Sequence, residues 1–280
     1  MTQAVPDVAT LESVLDTAAR APSIRNAQPW RWHVGRDGMS LLADWERRLG
    51  DTDADRRDVI LSCGAVMHHC VVALAAAGWR TRIQRYRTPR DTGALAFIEF
   101  IERPARAGAD ELAAAIPARR ADRRRFETSA LPAATLELLY IRAARMGVRL
   151  AVVPAERWAR RGDGEVVLRF ADESARDHDD DAVLLAFATD SDDAAARLLA
   201  GEALSHIALT ATAMGYATCP VTEPLAGTRE RMALACEVFD GEGFPQTLLR
   251  LGRAPVDGEP LPPVARRSVA ETTTWDPAVR

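Results

Sequence analysis

Ser62-Cys-Gly-Ala-Val-Met-His-His-Cys-Val-Val-Ala-Leu-Ala-Ala-Ala-Gly-Trp-Arg-Thr81 returns later in the chain as Leu199-Ala-Gly-Glu-Ala-Leu-Ser-His-Ile-Ala-Leu-Thr-Ala-Thr-Ala-Met-Gly-Tyr-Ala-Thr218. At one constant offset Gly64 matches Gly201, His69 matches His206, Ala76 matches Ala213, Gly78 matches Gly215 and Thr81 matches Thr218, with Trp79 opposite Tyr216. An aspartate-rich approach precedes both copies. Neither copy has a polar stripe, so as a helix each must be buried nearly all round. The glycine that follows each one supplies a left-handed cap. Two such helices are expected back to back at the centre about a pseudo-two-fold axis, the geometry of a homodimer interface fused into one chain. Unrelated alanine-rich helices with glycine caps also resemble one another by composition, so the flanks have to decide.

The flanks read as two halves. In the first, Leu11 to Arg20 has a helical pattern, Trp30 to Val34 alternates as a strand, and Ser40 to Ala43 and Leu95 to Ile101 read as strands. In the second, Pro132 to Met146 is helical, and Val148 to Val153, Ala182 to Ala188 and Thr247 to Leu251 read as strands. Each half is then α-β-β-α-β, which places the chain in the α+β class. Pro104 to Gly108 marks the join, so the expected halves are residues 1–108 and 109–280. Pro255 to Pro263 begins a proline-rich tail expected to run extended over the surface.

Composition narrows the partners. A chain of 280 residues with 48% apolar content can bury a full core. A net charge of -4 and a pI near 5.8 give no general field for nucleic acid or anionic lipid. The first residues have no basic and apolar leader pattern, and the apolar stretch near Val71 to Trp79 is far shorter than the ~20 residues that span a bilayer. Cys63, Cys70, Cys219 and Cys236 form no CxxC pair and no disulfide framework. A cytoplasmic protein is expected, with no membrane and no nucleic-acid partner.

Four segments carry candidate chemistry. In Arg20-Ala-Pro-Ser-Ile-Arg-Asn-Ala-Gln-Pro-Trp30, Pro22 and Pro29 force a helix to stop and a strand to start around a polar loop. Ser23, Asn26 and Gln28 offer groups that both donate and accept, suited to the mixed edge of a heterocycle and equally to a turn joining two elements. In Ala118-Arg-Arg-Ala-Asp-Arg-Arg-Arg-Phe126, the forks of Arg119, Arg120, Arg123 and Arg124 match phosphate oxygens, or form a solvated charged face. Thr218-Cys-Pro-Val-Thr-Glu-Pro-Leu225 has two prolines, which argues against a strand ladder and leaves the backbone at Pro220, Val221 and Thr222 for a ligand or a plain loop. Arg266-Arg267 in the tail has no meaning alone. Cys63, His68, His69 and Cys70 fit no zinc spacing, and no metal is expected. His178 amid Asp177 and Asp179 to Asp181 reads as a solvated acidic loop. GxGxxG, Walker and GxSxG motifs are absent.

Ala21-Pro-Ser-Ile-Arg-Asn-Ala-Gln-Pro-Trp30 resembles the APS-x-x-N-x-QPW signature of the nitroreductase superfamily. Arg119 to Phe126 with Leu131-Pro132 resembles its RRSxRxF…P opening, and Leu251-Gly-Arg-Ala-Pro255 through Arg266-Arg267 resembles its closing GxP…RR segment. The order of these pieces in one chain is similar to the mycobacterial Acg family of single-chain nitroreductase-like flavoproteins.

The resemblance implies a nitroreductase-like fold of two homologous halves mimicking the homodimer, and one FMN. In dimeric nitroreductases one subunit gives the PS-x-x-N loop and the other the arginines and proline loop; here those sets fall in different halves, so one complete site is implied. Arg119, Arg120, Arg123 or Arg124, with Arg266 or Arg267, would hold the phosphate. Ser23 and Asn26, with Pro22 and Gln28 in the same loop, would meet the ring or ribityl chain. Backbone at Val221 and Thr222, after Pro220, would approach N5. NADH or NADPH would give hydride to the flavin, and a nitroaromatic, quinone or similar small-molecule acceptor would take the electrons, with no catalytic side chain. An alternative of the Acg type stores or sequesters FMN with little turnover, and a third is a degenerate fold that binds no flavin. A fused pseudo-dimer removes the usual reason to dimerise, so a monomer is compatible. Two departures stand out. Ala121 or Asp122 replaces the family serine, leaving the phosphate ligands ambiguous by one position. Only Ala155 to Asp181, a short polar stretch, occupies the place of the Acg lid, which implies a more open ring.

Overall fold

The computed structural model describes residues 5–86, 93–102, 109–127, 131–169, 181–256 and 258–279. Two compact units divide the chain: Met1–Pro117 with Ala265–Arg280, and Ala118–Val264. Against the expected boundary at 108/109, residues 109–117 and the last stretch of tail belong to the first unit. The join at Pro104 to Gly108 lies outside the described residues, as does His178 with most of its acidic neighbours.

In the first unit, helix α1 (Val8–Ala18) starts where the Asp7 carboxylate accepts the Thr10 amide at 2.7 Å. It buries Leu11, Val14, Leu15 and Ala18, one face at helical spacing. Strands β1 (Trp30–Gly35) and β2 (Gly38–Ala43) form a hairpin, and Trp30, Trp32 and Val34 alternate inward along β1. Helix α2 (Asp53–Ala76) opens with a reciprocal Thr52–Asp55 capping box and is buried along most of its length. It is long and apolar enough to cross a membrane, but 83% of its apolar window is buried inside the protein, as expected of a core helix.

Strands β3 (Trp79–Arg85) and β4 (Ala94–Glu102) follow, then helix α3 (Ala109–Ala118). The tail supplies helix α7 (Val269–Thr272) and strand β11 (Thr273–Trp275), which pairs parallel to β1 with Trp32 opposite Thr273. The sheet order is β11-β1-β2-β4-β3.

In the second unit, α4 (Ala133–Arg145), β5 (Arg149–Val153), a small hairpin of β6 (Trp158–Arg160) and β7 (Val166–Leu168), and β8 (Val183–Thr189) lead to the long buried helix α5 (Ala194–Ala213). Strand β9 (Ala217–Val221), helix α6 (Thr228–Val238) and β10 (Phe244–Gly252) complete it, in the sheet order β5-β8-β10-β9. One face of this sheet packs Leu185, Phe187, Leu249 and Leu251 against α4 and α5. The other packs Leu184, Ala186 and Leu248 against Leu234 of α6 and against Trp158 and Val166 of the small hairpin.

Leaving aside β11, the small hairpin and helices α3, α6 and α7, the two units share one connectivity. Each runs helix, strand, strand, long helix, strand, strand, and β1-β2-β4-β3 corresponds to β5-β8-β10-β9 with every neighbour antiparallel. The repeated segments are α2 and α5, each followed by a left-handed glycine, Gly78 (φ 87) and Gly215 (φ 81). The expected outline lacked one strand per unit, and in both cases the missing strand is the one directly after that glycine. Both are edge strands: β3 is polar, and β9 contains Pro220. The prolines were expected to keep this backbone out of a ladder. Pro220 instead lies opposite Leu249 of β10, because an edge position tolerates a residue with no N–H to donate.

Candidate functional site

In the first unit the loop after α1 is a single 3-10 turn, Ile24–Asn26, with three non-glycine residues in the left-handed region: Arg25 (φ 43), Asn26 (φ 56) and Gln28 (φ 49). Such positions cost about 1–3 kcal/mol each and persist only where the surroundings fix them. Here the surroundings do. The Ser23 hydroxyl accepts the Gln28 amide at 3.0 Å. The Asn26 side chain donates to Ala265 O at 3.0 Å and accepts from Arg266 at 2.9 Å. The buried Gln28 side chain accepts the Arg267 amide at 2.8 Å.

Arg267 spreads its fork over the carbonyls of Gln28 (3.0 Å), Trp30 (3.4 Å) and Glu271 (3.0 Å) and the buried carboxylate of Asp44 (3.3 Å). Cys63 of α2 donates to Pro29 O at 3.2 Å, and Arg47 to Ala27 O at 2.6 Å. The expected loop residues and the closing arginines are therefore brought together: the Asn26 side chain is engaged by Ala265 and Arg266, and the Gln28 side chain by Arg267.

In the second unit the arginine segment runs beside β9: Ala121 bridges Thr218, and the Asp122 amide donates to Thr218 O at 2.9 Å. The nearly buried Asp122 carboxylate receives both Nε (3.0 Å) and Nη2 (2.7 Å) of Arg124, and this contact raises the Arg124 pKa. Arg124 also donates to Glu259 O at 2.8 Å. Arg250 of β10, fully buried, stacks on Phe126 at 4.3 Å and donates to Arg124 O at 2.8 Å.

Arg119 is buried, while Arg120 is half-buried and donates to Leu261 O at 3.3 Å. Arg123 is exposed and pairs with Glu223 at 3.3 Å. Its carbonyl accepts twice from Arg160 of the small hairpin, at 3.1 and 2.7 Å. The other carboxylate oxygen of Glu223 accepts the Thr222 amide at 3.2 Å. The hydroxyls of Thr218 and Thr222 are buried with no hydrogen-bond partner among the described residues.

Arg124 is engaged by Asp122, the aspartate that stands near the position of the family serine, just as Arg120 is engaged by Leu261 O and Arg123 by Glu223. Sequence reasoning missed Asp44, Arg160 and Gly164. Asp44 had no motif, and Arg160 and Gly164 sit in a stretch that reads as a polar loop but folds as a hairpin on the buried Trp158 and Val166. Among the described residues no group of three or more His, Cys, Asp or Glu side chains is placed to hold a metal. A groove of about 760 Å³ bordered by α1, α2 and α3 is lined by small residues such as Ser13, Ala73 and Ala76, and contains none of the expected ligands.

No protein-family model matches the chain. A Mycobacterium tuberculosis protein bearing the name "Putative NAD(P)H nitroreductase" is 39% identical over 96% of this chain and 92% of its own length. A second protein of that organism, with the same name and the designation acg, is 30% identical over 93% of this chain and 94% of its own length. The solved structure of a "putative nitroreductase" from Anabaena variabilis superposes with a TM-score of 0.56 over 90% of each chain at 10% identity, which bears on the fold alone. With relatives of this identity along almost the whole sequence and a nitroreductase fold beneath it, the chain belongs to the nitroreductase superfamily, among the Acg-type proteins.

Proposed function

We propose that the chain is an FMN-dependent oxidoreductase that accepts hydride from NADH or NADPH and reduces a nitroaromatic, quinone or similar small molecule. The observation that carries this reading is the strained loop from Ser23 to Gln28. Three left-handed non-glycine residues in a row of four are maintained by Arg266, Arg267 and Asp44, and strain of that kind gathers at ligand sites. The donors of each unit also suit FMN: in the first a half-buried serine, and in the second an exposed arginine at Arg123 and a buried threonine hydroxyl with no partner among the described residues.

When bound, FMN supplies reversible two-electron chemistry at its N5. The protein's own part is to bind and orient. Ser23, with its oxygen fixed by the Gln28 amide, keeps its O–H to donate. Asn26, Gln28, Arg266 and Arg267 hold Pro22 and the loop backbone in one conformation, and Arg119, Arg120 and Arg123 supply positive charge for a phosphate. The segment Pro220, Val221 and Thr222 presents the rigid end of an edge strand. No side chain is assigned as a catalytic acid or base.

The shared connectivity supports reading the two units as copies of one ancestral half, the pseudo-dimer that the repeat implies. All four cysteines are free thiols, which suits a reducing, cytoplasmic setting. The experiment that tests the function is anaerobic stopped-flow absorbance of the FMN-loaded protein mixed with NADH or NADPH. Rapid bleaching of the flavin band, reversed by a nitroaromatic or quinone, is the expected result. Bound flavin that stays oxidised would establish the sequestering alternative, and a chain that retains no FMN would defeat both.

A further inference from the structure

Along Pro220-Val221-Thr222, the donors of the chain are accounted for one by one. Pro220 has no N–H. Val221 pairs with Leu248 of β10, and its carbonyl accepts the Thr247 hydroxyl at 3.4 Å. The Thr222 amide is held by the Glu223 carboxylate at 3.2 Å, and that carboxylate is itself anchored by Arg123 at 3.3 Å. The polar group left over is the Thr222 hydroxyl. Thr222 is 8% exposed, and its oxygen has no hydrogen-bond partner among the described residues. A buried hydroxyl without a partner opposes folding, so a sequence that keeps one there gains something from it in another state. Valine has nearly the same shape and would fill the position without that cost.

We propose that the Thr222 hydroxyl is a direct hydrogen-bond partner of the bound flavin ring and sets the affinity of the chain for FMN, an inference that rests on the FMN reading above. The resemblance to other nitroreductases implied backbone contacts at Val221 and Thr222. With the Thr222 amide engaged by Glu223, the side chain takes over that role here. β-Branching restricts the side chain to few rotamers, so little rotamer freedom is lost when the hydroxyl engages the ligand.

The test compares wild type, Thr222→Val, Thr222→Ser and Thr218→Val in two measurements, FMN titration by fluorescence quenching and thermal unfolding of the FMN-free protein. Thr222→Val is expected to weaken FMN binding about tenfold, the equivalent of one hydrogen bond, while the FMN-free protein melts no lower than wild type. Thr222→Ser is expected to stay within about twofold of wild-type affinity, because it keeps the hydroxyl. Thr218→Val removes the other unpartnered hydroxyl of this segment and is expected to leave affinity unchanged.

Opposite signs in stability and affinity are the signature, since a purely structural hydroxyl would lower both. Unchanged affinity in Thr222→Val, a drop in the melting temperature of its FMN-free form, or an equal loss in Thr218→Val would each overturn the proposal. A wild-type chain that binds no FMN would overturn the parent reading as well, so the two failures are told apart.

Discussion

Arg267 reaches the carboxylate of Asp44 at 3.3 Å, with side-chain exposures of only 13% and 3%. The pair joins the proline-rich tail to the strand end after β2, and the same guanidinium caps the carbonyls of Gln28 and Trp30. This geometry makes Arg267 a brace for the strained loop. Arg267→Ala should destabilise the protein by about 2–3 kcal/mol, because among the described residues it leaves the buried carboxylate only the half-exposed Arg31, at 3.0 Å, as an ion-pair partner. Arg267→Lys should recover little, since an ammonium cannot span three carbonyls and a carboxylate. Urea denaturation reads both. Wild-type stability in Arg267→Ala combined with lost FMN binding would return Arg267 to the role of phosphate ligand.

Gly164 meets Arg123 backbone to backbone. A Cβ at Gly164 would lie 2.8 Å from Arg123 O and 2.9 Å from Arg123 Cβ, at a φ of +88° that side chains rarely adopt. Gly164→Ala should therefore cost about 1–3 kcal/mol and push the small hairpin off Arg123. Gly215→Ala is the matched control: its φ is +81° but nothing stands within 4 Å, so only the backbone penalty of about 1 kcal/mol applies. Equal losses in the two variants, measured by denaturant titration, would show that the hairpin does not bear on Arg123.

The long buried helices, the strands of alternating burial and the loop between Pro22 and Pro29 were legible because each writes its pattern locally. What escaped was of three kinds. Edge strands β3 and β9 carry polar residues or a proline, the devices that disguise an edge. Strand β11 pairs in parallel with a strand more than two hundred residues away, and no local pattern encodes such a partner. Finally, residue types showed that Gln28, Arg124 and Arg267 can donate or accept, but only the packed structure shows that these groups are already used. Asp122, two residues before Arg124, was the one sequence-level hint.

Thiol chemistry separates the cysteines. Cys63, Cys70 and Cys219 are buried, and burial pushes their thiols up in pKa, whereas Cys236 on α6 is exposed. Of the four thiols, one should react quickly with a disulfide reagent at neutral pH, and Cys236→Ser should abolish that phase. The other three should appear only on unfolding. A second fast thiol in the Cys236→Ser variant would mean that α2 or β9 opens far more readily than its packing implies.

His206, the repeat partner of His69, sits on α5 where burial, and secondarily the positive charge of Arg142, depresses its pKa from 6.5 to about 4. In the unfolded chain it takes up a proton near pH 6.5; in the folded protein it does not until about pH 4. Between those values the unfolded state binds more protons, so stability is full above pH 6.5 and falls as the pH drops toward 4, by on the order of 2–3 kcal/mol in total. The carboxylates whose pKa values are lowered, Asp7, Asp192, Asp193 and Glu271, begin from ordinary values of 3.8 to 4.5 and lose their contribution mainly below this window. His206→Gln should therefore flatten the stability profile between pH 6.5 and 4.5 and leave the steeper acid limb in place. Denaturant midpoints taken at half-unit pH steps decide it: an unchanged slope in His206→Gln would assign the acid sensitivity to another group.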